Sequence, residues 1–199
     1  MLEGIDELAA RAHLEAEIAP LTAAAMDGLM PIEAVYARRL ALIKPNVDSL
    51  AWLGQRYIET LVPGARDAVA MLQKSHRSVH IISGGLKPSV LVLAIALGIP
   101  ASHVEAVDVY FDKAGKYTGF DEQSPLAHAD GKARVVEALA RKHGPVVLIG
   151  DGVTDVAARA GGAFVIGFGG VARREAVVAG ADIFVDGPSL MDVARLICG

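Results

Sequence analysis

The sequence predicts an α/β fold: a doubly wound parallel sheet with helices on both faces, preceded by a small all-helical unit. Three observations carry this. From Val62 onward, short β-branched runs alternate with helical stretches, the order expected of parallel strands joined by crossover helices. Up to residue 61 the pattern is helical without interruption, which divides the chain into a helical unit over 1–61 and an α/β unit over 62–199. Finally, 53% of the residues are hydrophobic but only 5% aromatic, so the core must be Ala, Val, Leu and Ile, which suits helices laid on a buried sheet.

Ile5, Leu8, Ala9 and Ala12 form a helical stripe, and Pro20 is expected to end that segment. A second short helix runs toward Met26 and stops at Asp27-Gly28. Pro31 stands where a first-turn proline belongs, opening a helix through Leu42. Pro45-Asn46 breaks it, and Val47 to Thr60 reads as a fourth. In the second unit, Ala65 to Ser75 is helical, and Ser78 to Ile82 reads as a strand that ends at Ser83-Gly84-Gly85. Pro88 opens a helix that Gly98 stops, and Val104 to Ala106 reads as a strand. Val107 to Phe120 alternates around Lys113-Ala114-Gly115-Lys116, as in a β-hairpin. Gly131 to His143 is helical, and Pro145 to Gly150 is the strongest buried-strand signal. Helix 153–160, strand 163–166, helix 172–180, strand 182–185 and helix 188–197 complete the alternation.

Bulk properties exclude several classes. A net charge of −4 without a basic cluster argues against nucleic acid as a partner. The acidic start, Met1 to Glu7, has no apolar segment of the signal-peptide kind. The longest apolar run, Val90 to Leu97, is far too short to span a bilayer. A cytoplasmic protein with no membrane partner is therefore expected. The single cysteine, Cys198, excludes an intrachain disulfide and a cysteine metal site, and no histidine motif frames it as a nucleophile. The six histidines show no metal-ligand spacing and read as structural or surface residues.

In doubly wound sheets chemistry gathers at the carboxyl ends of strands. At one such end, Ser83-Gly84-Gly85 offers a hydroxyl and bare backbone amides to an anion, although alone the triplet reads first as a turn. At another, Gly150-Asp151-Gly152-Val153-Thr154-Asp155 sets two carboxylates on one small patch. Hard oxygens so placed suit Mg²⁺, which takes few protein ligands and keeps waters for a substrate phosphate. Helix capping explains one of these carboxylates but not both with their flanking glycines. Between them lies Lys132, in the first turn of a helix. By itself it reads as a surface lysine; near a phosphate it offsets phosphoryl charge and pairs with a carboxylate.

Together the motifs Ser83-Gly84-Gly85, Lys132 and Gly150 to Asp155, in that order on those elements, resemble the haloacid dehalogenase-like phosphatases. Tyr117 to Glu122 and Ile166 to Gly170 narrow the resemblance to the phosphoserine phosphatases, notably those of animals and plants. The likeness covers essentially the whole chain. It implies a Rossmannoid core with a small helical cap before Val62, Mg²⁺ as cofactor and a small phosphate ester, phosphoserine, as substrate. Ser83, Gly84, Gly85 and Thr154 are then expected to meet the phosphate and Lys132 to act in catalysis. Asp151 and Asp155 are expected to hold the metal, Asp155 either directly or by orienting a ligand. Cap residues that read the serine part fall on Glu3 for the ammonium, Met26 and Arg39 for the carboxylate, with Arg38 beside it open to confusion. A phenylalanine of the microbial pattern falls on Ile32.

The family works by covalent phosphoryl transfer through an Asp-x-Asp pair on the first strand, ahead of the position matched by Glu3. No Asp-x-Asp occurs in this sequence, so the first and central strand is expected to be missing, and the chain to be inactive by itself. The resemblance implies hydrolysis of phosphoserine to serine in serine biosynthesis. Its alternatives are a phosphatase or phosphotransferase on another small ester, or a silent phospho-ligand-binding relative. A homodimer is compatible with the sequence.

Overall fold

The structure is a computed structural model that describes residues 3–26, 30 and 32–199; the side chains of 22–26 and 32 lie outside that description, as do Asp27-Gly28 and Pro31. Four helices come first: α1 (Gly4–Arg11), α2 (Glu15–Met26), α3 (Ile32–Ile43) and α4 (Val47–Glu59). The break between the first two falls earlier than Pro20. His13 adopts a left-handed φ of 58°, which turns the chain after Arg11, and Leu14 N–H closes the turn onto the Ala9 carbonyl at 2.9 Å. Pro20 instead sits inside α2, where it forfeits one backbone hydrogen bond without ending the helix. Asn46, in the break after α3, caps α4, its side chain accepting from Ser49 N–H at 2.8 Å.

The alternating part follows as α5 (Ala65–Lys74), β1 (Ile81–Leu86), α6 (Lys87–Ala96), β2 (Val104–Val107), the hairpin β3 (Val109–Phe111) and β4 (Tyr117–Phe120), α7 (Gly131–His143), β5 (Val147–Gly150), α8 (Val153–Ala157), β6 (Phe164–Phe168), α9 (Glu175–Gly180), β7 (Ile183–Val185) and α10 (Leu190–Cys198). Short 3₁₀ turns at Ala101–His103, Pro125–Ala127 and Ala158–Gly161 join them. The last of these takes over where an unbroken helix from Val153 to Ala160 is expected.

All the main ladders are parallel, but they form two pieces: β1 pairs with β2, and β5, β6 and β7 pair in that order. Among the described residues no strand pairs with the second edge of β1 or of β5. The pieces are joined by packing. Ile82 of β1 packs against the cluster that holds Leu148 of β5 and Val136 of α7, so α7 spans the seam.

Ser83-Gly84-Gly85 does not follow β1, as its turn-like composition suggests, but falls within it. Ile82 is opposite Glu105, while Leu86 is opposite Val107, so the ladder is irregular across the triplet. The serine and glycines thus leave regular pairing while the chain stays extended.

The helical unit shares its core with β1 and β2. Leu50 and Leu53 of α4 are buried with Val90, Leu93 and Ala94 of α6, with Leu8 and Leu40 beside them. The wholly buried Ser89 donates its hydroxyl to the Leu50 carbonyl at 2.8 Å, which fixes α6 against α4 without leaving a buried polar atom unpaired.

Candidate active site

Two strand ends carry the polar groups. At the end of β5, Gly150 leads into Asp151, and the chain turns into α8. Asp155, in the first turn of α8, is only 7% exposed, yet both of its oxygens are engaged. One accepts from Lys132 Nζ at 2.5 Å, and the other from Gly152 N–H at 3.0 Å. Asp155 therefore does cap α8 and also holds the lysine.

Two glycines make this possible. A Cβ on Gly150 would overlap the Asp155 carboxyl, and a Cβ on Gly131 would overlap the Pro125 carbonyl. The second glycine lets the start of α7, which carries Lys132, rest on the 3₁₀ turn Pro125–Ala127. Asp151 keeps its carboxylate at the surface of the patch, where Arg174 donates to its Oδ2 at 2.7 Å and to its main-chain carbonyl at 2.6 Å. Thr154 is half-buried in the first turn of α8. The neighbouring Gly169 and Gly170 follow β6 as a turn, with Gly169 N–H bonded to the Val185 carbonyl at 2.8 Å.

At the β1 end, Gly85 N–H donates to Ser83 Oγ at 3.0 Å. Tyr36 of α3 donates its hydroxyl to the Gly84 carbonyl at 2.9 Å. The Tyr57 hydroxyl stands beside Gly85 as well, 3.6 Å from where a Cβ would be. Burial pushes the Tyr57 phenol up to about 12, helped by the charges of Glu3 and Glu7. It pushes Tyr36 up further, with Tyr117 and Tyr57 adding to it. Both phenols therefore stay protonated and serve as donors and packing rather than as acids. Glu3, the residue before α1, is exposed. Arg39 is half-buried and Arg38 exposed, so the two are told apart by position. Burial lowers Arg39 from its ordinary value, against the opposing pull of Asp6 and Glu3. The Met26 and Ile32 side chains lie outside the described residues.

The Pro125–Ala127 turn links the two sides, because Gly84 of β1 faces the Leu126 carbonyl while Gly131, at the start of the helix that carries Lys132, faces that of Pro125. One side thus gathers Ser83, Gly84, Gly85, Tyr36, Tyr57, Glu3 and Arg39; the other gathers Lys132, Asp151, Asp155 and Arg174. The first offers backbone and hydroxyl groups to an anion, and the second alternates carboxylates with cations. Arg174 has no counterpart among the residues expected from the sequence. Its signal was the carboxyl end of β6, next to β5, where the same strand-end rule applies.

Fold and placement define the class: a doubly wound α/β protein with its ionisable groups at the carboxyl ends of parallel strands. The model of the haloacid dehalogenase-like hydrolase family matches residues 3–159, and the chain belongs to that family. It is 39% identical over 177 residues to the phosphoserine phosphatase of Mus musculus, covering 88% of this chain and 79% of that one. To the chloroplastic phosphoserine phosphatase of Arabidopsis thaliana it is 38% identical over 184 residues, 90% of this chain and 62% of that one. A substrate-bound phosphoserine phosphatase structure superposes with a TM-score of 0.77 at 25% identity, covering 98% of this chain and 90% of the other.

Among the described residues, no helix is long and apolar enough to cross a membrane.

Proposed function

We propose that this chain is a phosphoserine-directed phosphomonoester hydrolase that uses Mg²⁺, acting in the cytoplasm in the last step of serine formation. The observation that carries the reading is the pair of Lys132 with the buried Asp155, set beside the more exposed carboxylate of Asp151 at one strand end. Both Asp155 oxygens already accept, from Lys132 and from Gly152, and the residue is 7% exposed, whereas Asp151 is more exposed and Arg174 engages only its Oδ2 side-chain oxygen. Asp151 is then the residue that would hold the metal, and Asp155 the one that shapes the turn around it. One protein carboxylate with waters fits the sparse ligation Mg²⁺ accepts. When bound, the ion supplies charge that offsets phosphoryl oxygens.

The rest of the assignment follows from chemistry. Ser83 with Gly84 and Gly85 would receive phosphate oxygens, as would Thr154. Lys132 would offset their charge from the other side. The helical unit over 1–61 would act as a cap, with Arg39 gripping the substrate carboxylate, Glu3 its ammonium and Met26 the wall between. The half-buried setting of Arg39 beside Asp6 and Glu3 supports its choice over Arg38. No Asp-x-Asp occurs in these residues, so the reading assigns them the binding and charge-neutralising share of the reaction.

The test is selectivity. With Mg²⁺ present, O-phosphoserine should bind more tightly than glycerol phosphate or phosphoethanolamine, and Arg39→Met should erase the advantage over phosphoethanolamine, which lacks the carboxylate. Equal affinity for all three esters in the unaltered protein would overturn the substrate assignment.

A further inference from the structure

Three of the histidines that the sequence leaves unassigned converge at the pole of the fold opposite the strand ends. His80 immediately precedes β1, His103 closes the 3₁₀ turn that feeds β2, and His143 is the last residue of α7. The His80 and His103 rings stack almost flat, with centroids 4.1 Å apart and planes 10° apart. His143 is tilted onto the same His80 ring at 5.4 Å. A shared metal is the obvious use of three histidines, but flat stacking does not converge ring nitrogens on a point. Among the described residues no group of three or more His, Cys, Asp or Glu is arranged to hold a metal.

The hydrogen bonds constrain the ring protons. His80 Nε2 lies 2.9 Å from Ser78 Oγ, whereas His80 Nδ1 is buried with no partner. A neutral ring can place a bare lone pair at Nδ1 and its N–H at Nε2, toward the serine. A protonated ring would bury an N–H with nothing to accept it, which is costly. His103 Nδ1 is 3.1 Å from the Val79 carbonyl, which can only accept, so His103 carries its proton there.

We propose that the three rings form a proton-operated clasp: with His80 neutral the stack fastens the leading end of β1 to the last turn of α7, and uptake of a proton at His80 opens it. The clasp matters because, among the described residues, the two parallel ladders are not paired through a common strand, and α7 is a helix that spans their seam. Lys132 stands at one end of that helix and His143 at the other. The titratable groups acting on His80 are all basic, with no carboxylate among them. They are His103 from the 3₁₀ turn, and His143 and Lys142 from the end of α7, so nothing rewards the added charge.

The sign is fixed by burial, which lowers His80 from the ordinary 6.5, with His103, His143 and Lys142 adding to it. The unfolded ring takes its proton first. The stabilisation is complete above that ordinary value and is lost as the pH falls toward the folded one. In that window the fold–unfold equilibrium constant should drop by up to about tenfold per pH unit from this one group.

The experiment is urea unfolding of the whole chain from about pH 8 to about pH 5.5, for the unaltered protein and for His80→Phe, which keeps a flat ring but cannot protonate. The urea midpoint of the unaltered protein should fall more steeply with acidification, and the variant should be flatter by about one proton. An unchanged slope in His80→Phe would overturn the clasp. Should that variant fail to fold, the NMR titration of the His80 ring in the unaltered protein decides. A midpoint below the ordinary imidazole value supports the proposal, and one at or above it refutes it.

Discussion

The ends of β1 and β5 both carry candidate site residues but are held in different ways. At the end of β5 the fixing groups are mainly charges: Lys132 on Asp155 and Arg174 on Asp151, with a neutral backbone N–H on the remaining Asp155 oxygen. At the end of β1 they are neutral: a serine hydroxyl accepting from Gly85, and a tyrosine hydroxyl on the Gly84 carbonyl, within a stretch where the ladder is irregular. A buried ion pair holds geometry tightly but is severely destabilised when halved, because the surviving charge has nowhere to go. Neutral hydrogen bonds are individually weak, and each can be lost at modest cost. The β5 end should therefore be brittle and the β1 end forgiving.

Taking the partner from the buried Asp155 is the hardest test of that contrast. Lys132→Met leaves Asp155 charged and 7% exposed, with Gly152 N–H as its one remaining partner of the two described, and should cost about 3–5 kcal/mol in urea unfolding. A loss below about 1 kcal/mol would place the pair among ordinary surface bridges. Gly150→Ala comes next. The added methyl overlaps the Asp155 carboxyl, and the backbone shift that relieves it should cost about 1–3 kcal/mol, visible as a lower melting temperature.

On the β1 side, Ser83→Ala and Tyr36→Phe each remove one hydrogen bond and should cost only about 0.5–1.5 kcal/mol by the same measurement. A larger loss from either would erase the distinction between the two ends. Arg174→Gln should have the smallest effect on stability, within about 1 kcal/mol and shrinking with added salt, because Arg174 itself is exposed to solvent.

Much of this was legible in the sequence. The alternation after Val62 and the composition of its strands are physical signals of a parallel sheet, and they hold wherever an apolar run is bounded by glycine or proline. The Gly150–Asp155 patch was readable because glycines and carboxylates at a strand end have few other uses. What escaped were features decided by tertiary contact. Pro20 reads as a helix end, yet a left-handed His13 does that work, and the proline is tolerated within α2. Ser83-Gly84-Gly85 reads as a turn, but the strand runs through it because β2 offers Val107 as a later partner for Leu86. Arg174 reads as one of two adjacent arginines; only the fold sets it over Asp151 while Arg173 turns to Asp186 and the face of Phe184. The histidines lack any ligand spacing because their contact is between rings from three separate elements.

The central claim is that Asp151 holds a divalent ion on which phosphate-ester recognition depends. Calorimetric titration of O-phosphoserine, with and without Mg²⁺, into the unaltered protein and Asp151→Asn tests it directly. Binding should require Mg²⁺ and weaken by at least about tenfold in the variant, on the scale of a lost charged contact. Equal affinity in all four titrations would contradict the account.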